Sequence, residues 1–245
     1  MELYNAMIRG VEGLAGSSTS RRFDYDPANA WEDTGAFELV MLRDAAFELG
    51  GGDKPAVNFT CVTTSPTLIP KDEILVFGPD LGELKGDCAY ARVALLRVGD
   101  IESDDEEDTE QAFRAIQDMD FVKYRVFPKG YMIRTNSESS REQVRISKEA
   151  LQKGVSFQRI GNDFIQQYKK NPSILAVKML FITAPDADYA ALVKEAKTAK
   201  DITLSLTKIL EGMPTDCGSC SLKSICDEVE GMRELHFGKE HHTTE

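Results

Sequence analysis

Three cysteines lie close together near the carboxyl terminus of the sequence, as Cys217-x2-Cys220-x5-Cys226, and His236 follows them. A C-x2-C turn can direct two thiolates into one coordination sphere. A third thiolate one or two helical turns later can occupy another corner of a tetrahedral or cubane site. The residues between the first two cysteines are Gly and Ser, which favour turns and exposed thiols. The spacing predicts a metal or iron–sulfur site; a redox dithiol and a chance cluster of buried cysteines are the alternatives.

The type of metal group and its fourth ligand are less well determined by the sequence. A zinc ribbon normally supplies a second C-x2-C pair, and this sequence has none, so a 4Fe-4S cluster is favoured over zinc. His236, Cys61 or Cys88 could provide the fourth ligand. Each also has a simpler interpretation, with His236 as an exposed or capping residue and the two cysteines as packed side chains of a strand or loop.

Basic side chains interleave with aromatic ones across residues 121–148. Those that we assign to a docking surface are Lys123, Arg125, Lys129, Arg134, Arg141 and Arg145. Complementary charge accelerates encounter more than it adds affinity, so this surface would suit an acidic protein partner such as a ferredoxin or a corrinoid protein. The alternative is an ordinary exposed face of a strand and a helix.

The net charge limits the classes of partner. The 245 residues include 29 Lys and Arg against 41 Asp and Glu, which gives a net charge of −12. Such a protein repels phosphate backbones and anionic lipid headgroups, so we expect neither nucleic acid nor a membrane as its partner. No apolar run reaches the ~18 residues of a transmembrane helix and no secretory signal is recognisable, so we expect a cytoplasmic protein. Five cysteines, an odd number, fit reduced thiols better than complete disulfide pairing.

Eight of the eleven residues in 100–110 are acidic. Like charges at this density oppose compaction, which predicts a solvated and locally disordered connection. The alternative is an electrostatic docking loop or a cation-binding loop.

Hydrolytic and nucleotide-binding functions are not supported by the residues. No histidine precedes His236, so a Ser-His-Asp or Cys-His nucleophile would need its base from the carboxyl-terminal region. No Gly-rich phosphate loop opens a helix after a predicted strand.

The chain reads as a series of short apolar runs separated by turn residues and helices. A helix is predicted over residues 1–14, followed by a flexible link GSSTSRR. Predicted strands are FELVML, VNFTCV, EILVFG, ARVALLRV, FVKYRVF and ILAVKMLFIT. Predicted helices are TEQAFRAIQDM, SKEALQKG between the cap Ser147 and the stop Gly154, NDFIQQYKKNP, PDADYAALVKEAKTAK and residues 202–210.

Strands occur both in succession and alternating with helices, which predicts an α+β fold. We expect a mixed β-sheet with flanking helices and a small carboxyl-terminal metal-binding segment. The expected organisation is a helix and linker over residues 1–30, an α+β domain over 31–200, and a helix with the cysteine-rich segment over 201–245. Trp31 is expected to anchor the start of the folded domain.

Several of these segments carry a resemblance to a known family. AFELV, EILVFGPDLGEL, RVALLRVGDIES, VRISKEALQKGVSFQRIGNDF and ILAVKMLFITAPDADYAALVKEAKTAK resemble, in order, the middle domain of acetyl-CoA synthase. That protein is the beta subunit of the carbon monoxide dehydrogenase/acetyl-CoA synthase complex. The resemblance covers about residues 36–200. It implies an α+β domain that leads into a domain with a 4Fe-4S cubane joined through a cysteine to two nickel sites.

The resemblance also bears on the cysteine cluster. Cys217 and Cys220 match the family's cubane pair, Cys226 looks like the third cysteine after a shortened gap, and His236 falls where the fourth would be. The family binds its distal nickel through a Cys-Gly-Cys segment, whereas this sequence has CGSC, so nickel is not expected. The large domain that receives carbon monoxide in that family is not expected either.

The resemblance therefore implies an iron–sulfur protein of one-carbon or corrinoid metabolism, acting in electron transfer or partner docking without complete acetyl-CoA synthase activity alone. The alternative is a zinc-stabilised interaction module. A subunit of an acetyl-CoA synthase with acyl-transfer activity ranks last.

Overall fold

Six α-helices and eight strands build the described part of the chain, which comprises residues 2–16, 20–99, 106–136, 138–210 and 220–228 of the computed structural model. In chain order they are α1 (Glu2–Leu14), β1 (Ser20–Asp24), β2 (Ala45–Leu49), β3 (Ala56–Thr63), β4 (Glu73–Phe77), β5 (Tyr90–Val98), α2 (Glu106–Phe121), β6 (Tyr131–Asn136), β7 (Arg141–Ser147), α3 (Lys148–Gln152), α4 (Phe157–Tyr168), β8 (Ile174–Ile182), α5 (Tyr189–Leu210) and α6 (Lys223–Glu228). Short 3-10 helices occupy Pro27–Asn29, Leu42–Asp44 and Val122–Tyr124.

The larger sheet is mixed and has the strand order β1-β4-β8-β5-β3. β4 runs parallel to β8 and β3 runs parallel to β5, while β1–β4 and β5–β8 are antiparallel pairs. The strands β3, β4, β5 and β8 are buried along almost their whole length. This burial on both faces explains why their sequences are continuous apolar runs rather than alternating patterns. The expected α+β fold with a mixed sheet and flanking helices is confirmed.

The two faces of the larger sheet are covered by different elements. On one face, α5 packs against both α1 and α2, and all three helices contact β3. On the opposite face, α4 packs on β4 and β8, and Gly161 allows a close approach because an added Cβ there would lie 2.6 Å from Cγ1 of Ile74. The smaller sheet lies on the α4 side as well.

The smaller sheet is antiparallel, with the order β2-β7-β6. Side chains along β7 alternate between buried and half-buried. One face, which we call the inner face, packs on the larger sheet, and the other, the outer face, is turned to solvent.

Ser147 and Gly154 delimit α3 as the sequence predicts. The Ser147 hydroxyl accepts a hydrogen bond from the backbone N–H of Ala150 at 3.0 Å, and Gly154 adopts a φ of +78° after the helix. Trp31 is buried, as expected of an anchor, and its indole N–H donates to the carbonyl of Lys129 at 2.8 Å.

Two predicted strands are wrong. FELVML has no regular structure up to Met41 and then enters the 3-10 helix Leu42–Asp44. FVKYRVF forms the 3-10 helix Val122–Tyr124 and an irregular stretch. Val40 and Val126 are nevertheless buried, so the alternation in these segments reflects burial without strand pairing. The hairpin of β6 and β7 was not predicted.

Other boundaries also differ from the prediction. The last three residues of the expected flexible link, 20–22, belong to β1, an edge strand of the larger sheet. The helix expected at residues 202–210 is the second half of α5, because no Gly or Pro interrupts Tyr189–Leu210. α2 begins at Glu106, so the second half of the acidic run is helical rather than locally disordered, and residues 100–105 lie outside the described residues. None of the described helices combines the length and apolar character that crossing a membrane requires.

Candidate functional site

Two cysteines of the predicted metal site, Cys220 and Cys226, lie on a turn and on the short helix α6 that follows it. The Cys220 carbonyl accepts a hydrogen bond from the backbone N–H of Lys223, and the Leu222 carbonyl accepts one from that of Cys226, both at 3.2 Å. Cys220 therefore stands just before the helix, and Cys226 lies within it. Cys217 and His236, the other residues of the predicted site, lie outside the described residues.

Apolar side chains attach this cysteine turn to the domain. Leu222 is 8% exposed, Ile225 and Cys226 pack against the hydrophobic core, and α6 contacts α5. Both Cys220 and Cys226 are half-buried, so they lie at the boundary between the core and solvent. Thiolates are the ligands that zinc and iron–sulfur clusters prefer, and the two described donors fit either group.

The other candidate ligands, Cys61 and Cys88, lie elsewhere in the fold. Cys61 on β3 is fully buried, and burial, followed by the charges of Glu195 and Asp120, raises the pKa of its thiol well above the ordinary value. Cys88 lies between β4 and β5, where burial raises the pKa of its thiol to about 11. A metal ligand must be a thiolate, which both environments disfavour. Their role as fourth ligand stays a prediction.

The structure does not assemble a complete metal site from the residues it describes. In those ranges, no three His, Cys, Asp or Glu side chains are grouped as a metal ion requires. The candidate site therefore consists of the cysteine turn with Cys220 and Cys226, and its completion depends on Cys217 and His236.

Four of the six basic residues assigned to docking are bonded within the chain. The bonds join Lys123 to Asp120, Lys129 to Glu32, Arg145 to Glu48, and Arg141 to the carbonyls of Gly50 and Gly52. The side chains of Arg125 and Arg134 are exposed and form no hydrogen bond or ion pair with another described residue. The docking role stays a prediction for all six residues, and these two are the ones whose charge is not engaged.

A buried ion pair that the sequence analysis missed joins the two sheets. Arg92 of β5 and Glu142 of β7 have side chains that are 1% and 0% exposed. Arg92 Nε donates to Glu142 Oε1 at 2.7 Å, Nη2 donates to Oε2, and the guanidinium lies 4.3 Å from the centre of the Phe164 ring on α4. Burial opposes the charge of Arg92, but the Glu142 carboxylate more than offsets it, so the pKa of Arg92 is raised. The sequence feature that could have indicated this pair is the charged residue Arg92 inside the apolar run ARVALLRV.

Two tyrosines extend this buried network. The hydroxyl oxygens of Tyr90 and Tyr131 lie 3.0 Å apart, one on each sheet. Burial raises the pKa of both phenols well above the ordinary value, so both stay neutral. Because solvent does not reach these groups, the network connects the sheets and offers no access for a substrate.

Asp163 on α4 is a second group that the sequence analysis missed. The residue is 1% exposed, and its Oδ2 has no hydrogen-bond partner among the described residues. Burial, and then the charge of Asp33, raise the pKa of Asp163 to about 7. Asp33 is itself satisfied, since it accepts hydrogen bonds from the backbone N–H of Phe127 and from Nε2 of Gln167. Asp163 is thus a buried acid that titrates near neutral pH.

One family profile matches the chain. Its description is CO dehydrogenase/acetyl-CoA synthase complex beta subunit, and the match covers residues 34–187 of 245. The matched region contains both sheets except β1, together with α2, α3 and α4, and it does not include the cysteine turn. No curated protein matches the chain.

Proposed function

The chain belongs to the family of the CO dehydrogenase/acetyl-CoA synthase complex beta subunit, and on this premise we propose that it is an iron–sulfur protein of one-carbon or corrinoid metabolism. The family is named for a subunit of a multi-protein complex, which supports an acetyl-CoA synthase-like role beside a protein partner. In this proposal the α+β domain docks the partner, and the cysteine turn carries a 4Fe-4S cluster for electron transfer. The protein would act in the cytoplasm.

The position of Cys220 and Cys226 carries this proposal. Both thiols lie on one short turn and helix that Leu222 attaches to the domain, and both are partly open to solvent. With Cys217 three positions before Cys220 in the sequence, the segment supplies three thiolates for a cubane cluster. A cluster at the rim of the domain is accessible to an electron-transfer partner. His236 is the proposed fourth ligand, because its place resembles that of the family's fourth cubane cysteine.

A zinc-stabilised interaction module is the second candidate. The observation that favours it is the apolar attachment of the turn through Leu222 and Ile225, since a structural zinc ion also holds a segment against a domain and contributes folding energy. Zinc bound by the same residues would have no redox role.

A catalytic acetyl-CoA synthase subunit ranks last. The family's distal nickel is bound by a Cys-Gly-Cys segment, and this sequence contains CGSC and no Cys-Gly-Cys. Such a subunit would bind nickel and act only with partner subunits.

Iron, acid-labile sulfide and zinc analysis of anaerobically prepared protein, with electron paramagnetic resonance after reduction, tests the proposal. We expect about four irons per chain and a reducible signal, as a cubane cluster requires. Cys226→Ser should lose both, and His236→Ala should alter the signal. Cys88→Ser tests the alternative fourth ligand and should retain both, since His236 is the proposed one. One zinc per chain without sulfide would instead establish the interaction module.

A further inference from the structure

Residues 26–34 lie along α4, and we call this segment the clasp. The backbone N–H of Asp26 donates to Oδ1 of Asn162, and that of Trp31 donates to the carbonyl of Arg159, both at 3.0 Å. The guanidinium of Arg159 also lies 4.3 Å from the centre of the Trp31 ring. Of the residues in the clasp, Trp31 is the one that is buried. A surface segment held mainly by hydrogen bonds can open without unfolding the rest of a domain.

Asp33 fastens the carboxyl end of the clasp. Its Oδ2 accepts a hydrogen bond from the backbone N–H of Phe127 at 3.1 Å and another from Nε2 of Gln167 on α4 at 3.2 Å. Its Oδ1 accepts one from the backbone N–H of Gly35 at 2.6 Å. The Asp33 carboxylate therefore joins the clasp both to α4 and to the part of the chain that precedes β6.

Asp163 lies one helical turn before Gln167 and is close enough to Asp33 for the two charges to interact. The residue is 1% exposed, and its Oδ2 has no hydrogen-bond partner among the described residues. A protonated Asp163 is neutral and tolerates this environment. An ionised Asp163 adds a second carboxylate near that of Asp33 where water does not reach, and like charges at short range repel strongly. Ionisation of Asp163 and closure of the clasp therefore oppose each other.

The surrounding charges do not cancel this repulsion. Lys170 on α4 favours the ionised form of Asp163, but burial and the charge of Asp33 outweigh it. The other charged groups of α4 and of the elements packed on it are engaged elsewhere: Arg159 with Trp31, Lys169 with Asp72, Lys123 with Asp120, Glu73 with Lys178, Arg92 with Glu142, and Asp26 with the backbone N–H of Ala28. Asp33 is thus the charge on the clasp that acts against an ionised Asp163.

The clasp also contributes to the lining of a cleft. The cleft has a volume of about 380 Å³, and Trp31 and Glu32 of the clasp line it together with Lys129, Ala150 and Lys153. The indole N–H of Trp31 donates to the carbonyl of Lys129 at 2.8 Å, and Nζ of Lys129 donates to Oε1 of Glu32 at 3.0 Å. Release of the clasp from α4 therefore changes the shape of this cleft and access to it.

We propose that the clasp is a proton-controlled wall of the cleft, closed while Asp163 is protonated and released from α4 when Asp163 ionises. In the open state water reaches Asp163, so its affinity for a proton returns to the ordinary value and opening releases a proton. The ratio of open to closed molecules, the opening constant, therefore rises with pH. This device does not depend on a metal group at the cysteine turn.

The pH range follows from the two proton affinities of Asp163. Burial, and then Asp33, raise its pKa from the ordinary 3.8 to about 7 in the closed state. Closure is fully favoured below the ordinary value, and this advantage is lost as the pH rises through the closed-state value. The opening constant should rise ~50-fold between pH 5 and pH 7, and only about twofold more by pH 8.

Hydrogen exchange of the full chain, resolved by residue from pH 5 to pH 8 and corrected for the intrinsic exchange rate at each pH, tests the proposal. The backbone amides of Trp31 and Thr34, which donate to Arg159 and Phe127, report opening of the clasp. The amide of Val93, on β5 between β3 and β8, reports unfolding of the whole domain. Trp31 and Thr34 should exchange at least about tenfold faster than Val93 at every pH, with the ~50-fold rise given above.

Two variants separate the clasp from a general effect of pH. Asp163→Asn cannot ionise, so its opening constant should stay within about twofold from pH 5 to pH 8. Asp53→Asn removes a carboxylate on an exposed turn and should show the same rise as the unaltered protein. Exchange of Trp31 no faster than that of Val93 would show that the clasp opens only with the whole domain and would overturn the proposal. A rise that persists in Asp163→Asn, or an opening constant of the unaltered protein that does not change with pH, would overturn it as well.

Discussion

Arg92 and Glu142 form a two-point ion pair between the two sheets, with both side chains at most 1% exposed. Removing two charges from water costs several kcal/mol per ion, and only close pairing offsets that cost. The pair is reinforced by the Phe164 ring of α4, which lies under the guanidinium. One interaction therefore holds the larger sheet, the smaller sheet and α4 in a fixed relation.

Glu142→Gln should lower the free energy of unfolding by about 3–5 kcal/mol, because Arg92 would stay buried without its countercharge. The double variant Arg92→Met/Glu142→Leu should recover most of that loss. Urea denaturation at neutral pH measures all three proteins. Glu149→Gln, which removes an exposed partner of Lys153, should leave stability unchanged. A Glu142→Gln effect as small as that of the control would contradict the buried pair.

Asp163 should make the protein less stable as the pH rises from about 4 to about 7. Its pKa of about 7 in the folded protein lies above the ordinary 3.8, owing to burial and then to Asp33, while Gln167 and Lys170 act in the opposite direction. The stabilisation is complete below the ordinary value and is lost as the pH rises through the folded value.

Asp163→Asn removes this titration. The difference in unfolding free energy between the variant and the unaltered protein should change by roughly 2–4 kcal/mol across that pH range. Asp53→Asn, on an exposed turn, should follow the unaltered protein at every pH. Parallel curves for Asp163→Asn and the unaltered protein would show that Asp163 does not titrate in this range.

Alanine substitutions at two helical glycines should change the stability of the protein in opposite directions. Gly161→Ala should destabilise by about 1–3 kcal/mol, since its Cβ would lie 2.6 Å from Ile74 Cγ1 and 3.2 Å from the Phe181 ring. Gly10→Ala on α1 meets nothing within 4 Å, and the lost backbone freedom of the unfolded chain should stabilise by roughly 0.5–1 kcal/mol. Thermal unfolding measures the stability of both variants. Equal effects would contradict the close approach of α4 to β4 and β8.

Leu222→Ser should loosen the cysteine turn without unfolding the domain. Burying a leucine side chain contributes about 1.5–3 kcal/mol, and Leu222 is the most buried of the turn's residues whose burial the structure describes. If the segment binds metal as proposed, metal loss to a chelator should be several-fold faster in this variant, with the far-ultraviolet circular dichroism unchanged. Ser221→Ala, at the exposed neighbour, should lose metal at the original rate. The same rate for both variants would mean that the turn is held by its metal alone.

The fold was predictable where a sequence pattern has only one structural explanation. The buried strands β3, β4, β5 and β8 are long apolar runs bounded by turn residues, and Ser147 and Gly154 mark helix ends by their own chemistry. Residues 37–42 were misread as a strand because burial of Val40 alone produces the alternation of a strand without a pairing partner. No local sequence pattern distinguishes a paired strand from an extended segment that is unpaired and buries one side chain.

The site could be predicted only in part, for a similar reason. The cysteine motif is visible because its donors are neighbours in sequence. Arg92 and Glu142 are fifty residues apart, and no property of either position indicates that they meet. The assignment of Arg141 to a docking surface likewise ignored the Gly50 and Gly52 carbonyls, which only the packing of β2 against β7 brings within reach.

The place of β8 in the larger sheet sets an order for folding. It is the last strand of that sheet in the chain, yet it lies in the middle, between β4 and β5. Until it is synthesised, β1–β4 and β3–β5 are two separate ribbons, each with an unpaired edge that can add strands from other molecules. Its pairing with β4 joins Glu73 to Lys178, 105 residues later, so the sheet closes late and through non-local contacts. A chain that ends before β8 would therefore expose two unpaired strand edges, which favours aggregation.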